Sequence, residues 1–78
     1  MPRMARLEWR VIKDFPAYEI NSMAIIRKRD THVQHSTYRD HDDIEVTKLT
    51  YDGKRYLRVV RKLVATAFPE LQLWQKRY

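Results

Sequence analysis

The lysine and arginine residues of this chain are the ones whose chemistry and spacing indicate a function, namely the binding of anions. Sixteen of them stand against ten aspartates and glutamates, which gives a formal net charge of +6. An excess of this kind is typical of proteins that bind anionic partners, most often the phosphates of nucleic acid. We predict that nucleic acid is contacted by two clusters, namely Arg27, Lys28 and Arg29, and Lys54, Arg55, Arg58, Arg61 and Lys62.

The acidic side chains are concentrated in one polar segment, residues 30–45. Five acids stand there against a single arginine, so the segment carries −4 and the remainder of the chain +10. Such an acidic surface could contact a basic protein instead of nucleic acid. The residues that we single out for that protein-binding role are Asp40, Asp42 and Asp43.

Metal binding and catalysis have weaker support in the sequence. His32, His35 and His41 lie in the same polar segment, whereas zinc ligands favour tight spacing on a rigid frame. Ser22 and Ser36 have no motif around them that would activate a nucleophile. The sequence therefore predicts no metal, no cofactor and no enzymatic activity.

Aromatic rings among the basic residues could stack on nucleobases. Tyr56 is the best candidate because it lies beside Arg55 and Arg58 on a predicted strand. Trp9 and Trp74 lie in stretches of apolar periodicity, for which packing in the core is expected.

Short strands are predicted for the first half of the chain. Alternating apolar residues indicate strands over 7–12, 18–20 and 24–28, and Pro16 predicts a turn within 14–17. Residues 30–43 have no convincing period and are expected to form a long loop, with a short strand around Val33.

The clearest hairpin surrounds Asp52-Gly53, a dipeptide that suits the positive φ angles of a two-residue loop. We take the face of this hairpin that carries the two valines as the core face, and the face that carries Arg58 as the exposed one. The register places Val46 opposite Val59 and Lys48 opposite Leu57 on the valine face, and Leu49 opposite Tyr56 and Thr47 opposite Arg58 on the other.

The period becomes helical from Val60 to Phe68, and Pro69 suits the first turn of a second helix. The predicted fold class is α+β: a small antiparallel sheet of three to five short strands packed on one helix, with a short C-terminal helix. We expect a single domain over 1–78, with a flexible basic arm at 1–6, a binding module at 7–68 and a C-terminal helical tail at 69–78. A homodimer could form through the tail, along Leu71, Trp74 and Tyr78.

The environment of the protein follows from what its 78 residues lack. There is no cysteine, which suits a reducing compartment. No apolar run approaches the roughly 18 residues needed to span a bilayer. We expect a cytoplasmic protein without membrane contact.

Two stretches, taken in order, resemble a known family. They are similar to the fourth type of nuclease-associated modular DNA-binding (NUMOD) domain, which normally precedes the HNH nuclease of phage and intron homing endonucleases. The resemblance implies a DNA-binding module whose basic sheet face lies against duplex DNA. The first stretch is Trp9-Arg10-Val11-Ile12, Phe15, Tyr18-Glu19-Ile20-Asn21-Ser22 and Ile25-Ile26-Arg27; the second is Asp52-Gly53-Lys54, a strand from Tyr56 to Val60, and Arg61-Lys62-Leu63-Val64-Ala65-Thr66-Ala67-Phe68.

The sequence departs from the family at several places. Asn21-Ser22 stands for the usual Ser-Asn, Ala24 for Gly, and Arg61-Lys62 for His-Arg, and the His-x-Asp-Gly-Asn segment of the nuclease does not occur. We therefore expect a non-catalytic DNA-binding module, derived from a phage or mobile element and located in the host cytosol if it is phage-encoded. The alternative is a small phage-type regulator that binds and inhibits a host protein through its surface, including the acidic loop 30–45.

Overall fold

The computed structural model describes residues 7–71, and these residues adopt an α+β fold. Four strands form one antiparallel sheet in chain order and three form a second, so the predicted fold class is confirmed with its strands divided between two sheets. Within residues 7–71 no helix is long and apolar enough to cross a membrane. The elements are β1 Trp9–Ile12, β2 Phe15–Asn21, β3 Ile26–Lys28, β4 Gln34–His35, β5 Tyr38–Arg39, β6 Glu45–Tyr51, β7 Lys54–Val59 and α1 Val60–Ala67, followed by a short helix at 69–71.

A small core lies between the first sheet, β6 and α1. The predicted apolar stripe of α1 is confirmed, since Val60 is buried and Leu63, Val64 and Ala67 pack against the core. A domain of this size buries a modest share of its surface, so each core contact carries much of the stability. The buried members are Ile12, Phe15, Tyr18, Ile20, Ile26, Leu49, Val60 and Phe68.

The first turn comes earlier than Pro16 predicted. The chain turns at residues 13–14, where Asp14 has a φ of 72°, and Pro16 lies inside β2. The β1–β2 register shifts between Val11, which pairs with Glu19, and Ile12, which pairs with Phe15. Residues 16–18 therefore bulge out of the β1–β2 ladder, and a proline that lacks an N–H is tolerated there.

The predicted hairpin is confirmed in turn and register, but its core face is wrong in the half nearer the turn, although Val46 is buried and Val59 half-buried as expected. Asp52 and Gly53 have φ angles of 52° and 77°, and all four predicted cross-strand pairs are present. Leu49 is fully buried, however, whereas Lys48 is exposed and Leu57 is 54% exposed. β2 and α1 approach β6 from the Leu49 side, and because side chains alternate along a strand the opposite face is left to solvent from Lys48 to the turn.

The predicted loop over 30–43 contains the crossing between the two sheets. β4 pairs with β3, and only two residues later β5 begins to pair with β6. His35 Nε2 lies 2.7 Å from the carbonyl oxygen of Lys48, and because a carbonyl only accepts, Nε2 carries the proton in this contact. Tyr18 accepts the N–H of Thr50 at 3.3 Å, and its ring meets His35 edge-on at 5.0 Å.

The turn between β2 and β3 retains a conformation that suits glycine. Ala24 has a φ of 69°, which costs an L-residue about 1–2 kcal/mol. Asn21, fully buried, stabilises the turn by accepting the N–H groups of Met23 at 2.9 Å and Ile25 at 3.0 Å. Ala24, which stands where the NUMOD pattern has glycine, therefore adopts the left-handed conformation that glycine would favour.

Arg10 joins β1 to the end of α1. Its guanidinium donates to the carbonyl oxygen of Ala67 at 2.7 Å and to Glu70 Oε2 at 2.9 Å, while its Nε donates to Glu8 at 3.0 Å. The guanidinium carbon also lies 4.2 Å from the ring centroid of Phe68. A cation at this end of a helix satisfies a terminal carbonyl and complements the helix dipole.

Glu70→Gln should remove an acid-sensitive part of the stability. The hydrogen bond from Arg10 lowers the pKa of Glu70 below its ordinary value. A lowered folded-state pKa stabilises the fold above the unfolded-state pKa, about 4.3, and this contribution is lost as pH falls through the folded-state value. The melting temperature of the variant should be lower than that of the wild type at pH 7, and the two should converge as the pH falls below the folded-state pKa of Glu70. A constant difference across this range would contradict the assignment.

Candidate nucleic-acid interface

The cations of the described residues separate into paired and unpaired groups. Arg10, Arg27 and Arg39 each have a carboxylate within 4 Å. Within residues 7–71, no carboxylate lies that close to the seven other cations of the two predicted clusters. Those seven therefore keep an uncompensated charge, which is what a phosphate contact requires. They are Lys28, Arg29, Lys54, Arg55, Arg58, Arg61 and Lys62.

Arg27 makes contacts within the first sheet that stabilise the fold. Its Nε donates to Glu19 Oε1 at 2.7 Å, and its guanidinium carbon lies 3.7 Å from the ring centroid of Trp9. The side chains of Arg27 and Glu19 are 21% and 11% exposed, so the pair is largely withdrawn from water. Trp9 is half-buried beneath Arg27 and is not a member of the core cluster.

Five of the unpaired cations follow one another along β7 and the start of α1. β7 ends at Val59 and α1 begins at Val60, so no loop separates the strand from the helix. Lys54 and Arg55 lie on the strand beside the turn, and Arg61 and Lys62 are exposed in the first turn of the helix. The cations therefore follow one another along the chain from strand to helix, with Arg55 on one face of β7 and Lys54 and Arg58 on the other.

The outer face of the β6–β7 hairpin carries a cation that the sequence analysis missed. Lys48 and Thr50 on β6 lie opposite Leu57 and Arg55 on β7, and all four side chains are exposed. The predicted register already placed Lys48 beside Leu57; assigning the core to the Leu49 face would have turned Lys48 outward. We refer to these four residues as the ribbon face.

Arg58 lies on the opposite, core-facing side of β7 but reaches solvent. Its guanidinium carbon is 5.2 Å from the ring centroid of Phe15 and 5.3 Å from that of Tyr56. A long arginine stem can cover apolar rings while its charged end remains in water. Arg58 shares a groove with Lys62 and with Lys13, a second cation that the sequence analysis missed because nothing in its local pattern distinguished it.

Tyr56, the predicted stacking residue, is half-buried and packs against the core. Its ring meets Phe15 edge-on, with centroids 5.6 Å apart. Tyr51, one residue before the turn, is 52% exposed and lines a cavity together with Tyr56.

The acidic residues of the predicted protein-binding set have unequal roles. Asp40 Oδ1 accepts the N–H groups of Asp42 at 2.9 Å and Ile44 at 3.0 Å, so this carboxylate shapes the loop. Asp43 has a φ of 62° and lies 3.7 Å from Arg39. Asp42 is exposed, with His41 at 3.4 Å. Within residues 7–71 no group of three or more His, Cys, Asp or Glu side chains is arranged to hold a metal ion.

The start of α1 has the wrong charge for a helix N-terminus. Val59 provides no side-chain cap, the first turn contains no acidic residue, and Arg61 and Lys62 stand there instead. The positive end of the helix dipole repels cations, so this arrangement costs stability. Local rules of this kind are broken most often where function requires it.

Comparison with known proteins supports the fold. No protein-family model matches the chain, and no curated protein matches it in sequence. Among solved structures, it is similar to the HNH homing endonuclease I-HmuI, whose structure concerns DNA binding and cleavage, with a TM-score of 0.72 and 22% sequence identity. The likeness covers 80% of this chain but only 36% of that enzyme. The neighbour belongs to the class of proteins named by the resemblance, while the NUMOD assignment stays a prediction.

Arg61→Glu should stabilise the domain. An anion in place of a cation at the helix N-terminus should raise the free energy of unfolding by about 1 kcal/mol, measured by urea denaturation. Arg29→Glu, which makes the same charge change in a turn, is the control and should not stabilise. Destabilisation by Arg61→Glu would contradict the proposed repulsion between the cations and the helix dipole.

Proposed function

We propose that this chain is a non-catalytic DNA-binding module that grips duplex DNA through the ribbon face and the basic start of α1. The observation that carries the proposal is the run of unpaired cations at Lys54, Arg55, Arg58, Arg61 and Lys62, continuous from strand to helix. Lys28 and Arg29 would add outlying phosphate contacts, whereas Arg27 would support the sheet. We take residues 7–68 as the module, with 1–6 and 69–78 flanking it.

The shape of the hairpin suits the major groove of B-DNA. That groove is about 12 Å wide and admits a two-stranded β-ribbon. β6 and β7 form such a ribbon, with six consecutive cross-strand pairs. Lys48 and Arg55 are placed to meet phosphates or guanine edges, and Thr50 and Leu57 supply apolar contact of the kind that thymine methyl groups accept.

The similarity to I-HmuI supports the DNA-binding part of this proposal. That enzyme binds and cleaves DNA, and the part of it that this chain resembles is about a third of its length. We extend only DNA binding to the chain and include no cleavage step. The resemblance to the NUMOD modules, which implies the same role, supports a phage or mobile-element origin.

The double variant Lys48→Ala/Arg55→Ala should bind duplex DNA more weakly and with less dependence on salt. Each lost phosphate contact lowers the slope of log K against log salt by about 0.9, so the slope should become shallower by about 2. Fluorescence anisotropy with a labelled duplex between 50 and 200 mM salt measures both quantities. Because both side chains are exposed, the melting temperature should stay unchanged.

Arg39→Ala is the matched control. It removes the same charge as Arg55→Ala, but Asp43 already offsets Arg39 at 3.7 Å, so the slope should change little. The absence of duplex binding at 50 mM salt would overturn the proposal. Nicking of supercoiled plasmid by the purified protein with Mg²⁺ would overturn its non-catalytic part.

A second candidate function is that of a small regulator that binds and inhibits a host protein. A cavity of about 630 Å³ favours it, since this cavity lies between the acidic loop, the turn at residues 22–24 and α1. Exposed Met23, Ile44 and Leu71 border it beside Asp43 and Glu45. Apolar side chains with a charged rim are the usual composition of a protein contact.

Asp42→Lys/Asp43→Asn should separate the two candidate functions. The variant spares Asp40, which shapes the loop, and asparagine tolerates the positive φ of position 43. A DNA binder should bind duplex DNA as tightly as the wild type or more tightly, because repulsion from phosphates falls. A protein-binding regulator should lose its partner in a pull-down from host lysate. Unchanged capture of that partner would contradict a role for the acidic loop.

A further inference from the structure

A groove lies on the core-facing side of the hairpin, and the residues of the ribbon face do not line it. It has two lobes, of about 550 and 300 Å³, which lie between the β1–β2 turn, β7 and α1. These volumes fall within or near the range of about 300–1,000 Å³ that is usual for small-ligand sites. The lobes belong to one depression because they share the lining residues Ile12, Lys13, Asp14, Phe15 and Arg58.

The larger lobe is walled by aromatic rings. Phe15 is buried, 3% exposed, and meets Tyr56 edge-on at an interplanar angle of 61°. Tyr51 stands at the open side of the lobe with half of its surface exposed. A flat apolar group entering this lobe would find the Tyr51 ring available and the Tyr56 ring partly so.

The shared part and the smaller lobe carry a positive charge. Lys13, Arg58 and Lys62 line them against a single acid, Asp14. Within residues 7–71 none of the three cations has a carboxylate within 4 Å. The groove therefore combines an aromatic compartment with an uncompensated cationic one, which suits a ligand that joins a flat ring to an anion.

We propose that this groove binds one unstacked nucleotide of the DNA, with its base against Tyr51 and Tyr56 and its phosphate near Lys13, Arg58 and Lys62. This inference rests on the proposed function and adds a second site to it. In an intact duplex the faces of each base are covered by its neighbours, so only an unpaired or extruded base can stack on a side chain. The module should then prefer distorted DNA to a regular duplex.

The test compares a fully paired duplex with the same duplex carrying one unpaired adenine. Wild-type protein should bind the bulged DNA about tenfold more tightly, a ratio within the effect of one base–aromatic stack. Tyr51→Ala should abolish the preference, and Tyr51→Phe should keep it because the ring remains. Tyr38→Ala, which removes an exposed tyrosine (46% exposed) from β5, is the matched control and should keep it as well.

A second readout places the base. With 2-aminopurine at the unpaired position, wild-type protein should change the emission of the base, and Tyr51→Ala should not. Equal affinity of the wild type for the two DNAs, while duplex binding persists, would overturn this inference and leave the proposed function standing. A preference that survives Tyr51→Ala would also overturn it. Absence of binding to either DNA would overturn both.

Discussion

Side chains of the first sheet close the outer edge of β6, and the arrangement of the two sheets depends on this closure. β5 covers only the first two residues of β6, which leaves the Lys48 carbonyl and the Thr50 N–H without a strand partner. His35 and Tyr18 satisfy these groups. An open strand edge invites pairing with another chain, so the closure joins the sheets and protects the edge while the ribbon face stays free.

The distribution of carboxylates divides the arginines between structure and surface. Arg10 and Arg27 each hold a carboxylate and lie against an aromatic ring; Arg10 connects β1 to Glu70, 60 residues away, and Arg27 connects β3 to β2 and β1. The cations of β7 and of the start of α1 lack such partners among the described residues. These cations lie close together in the sequence despite their mutual repulsion, and Arg61 and Lys62 are also repelled by the positive end of the helix dipole. If these surface cations served to stabilise the fold, we would expect carboxylates beside them and acidic residues in the first turn of α1.

Local patterns predicted the elements that close within a few residues. The Asp52-Gly53 turn requires positive φ at both positions, which determines the register of the hairpin, and the stripe from Val60 to Phe68 predicted α1. The core face of the hairpin could not be read in this way, because each face carries an apolar pair. Contacts from β2 and α1, remote in the sequence, decide between them.

The candidate interface was predictable to a similar extent. The run from Lys54 to Lys62 is visible as a charge cluster, and among residues 7–71 none of its cations has a carboxylate within 4 Å. Lys48 was missed because of the face error, and Lys13 because a lone lysine in a turn has no distinguishing pattern. Conversely, charge alone could not show that Glu19 lies beneath Arg27, or that Arg10 reaches a carbonyl 57 residues away.

The direct passage from β7 into α1 has a mechanical consequence. Val59 is both the last residue of the strand and the residue before the helix, so no flexible segment can absorb a tilt of the hairpin. A tilt of the ribbon would turn the helix with it, and Arg10 would carry that rotation to β1. If the function proposed above holds, a partner seated on the ribbon face would therefore meet β6, β7, α1 and β1 as one connected unit.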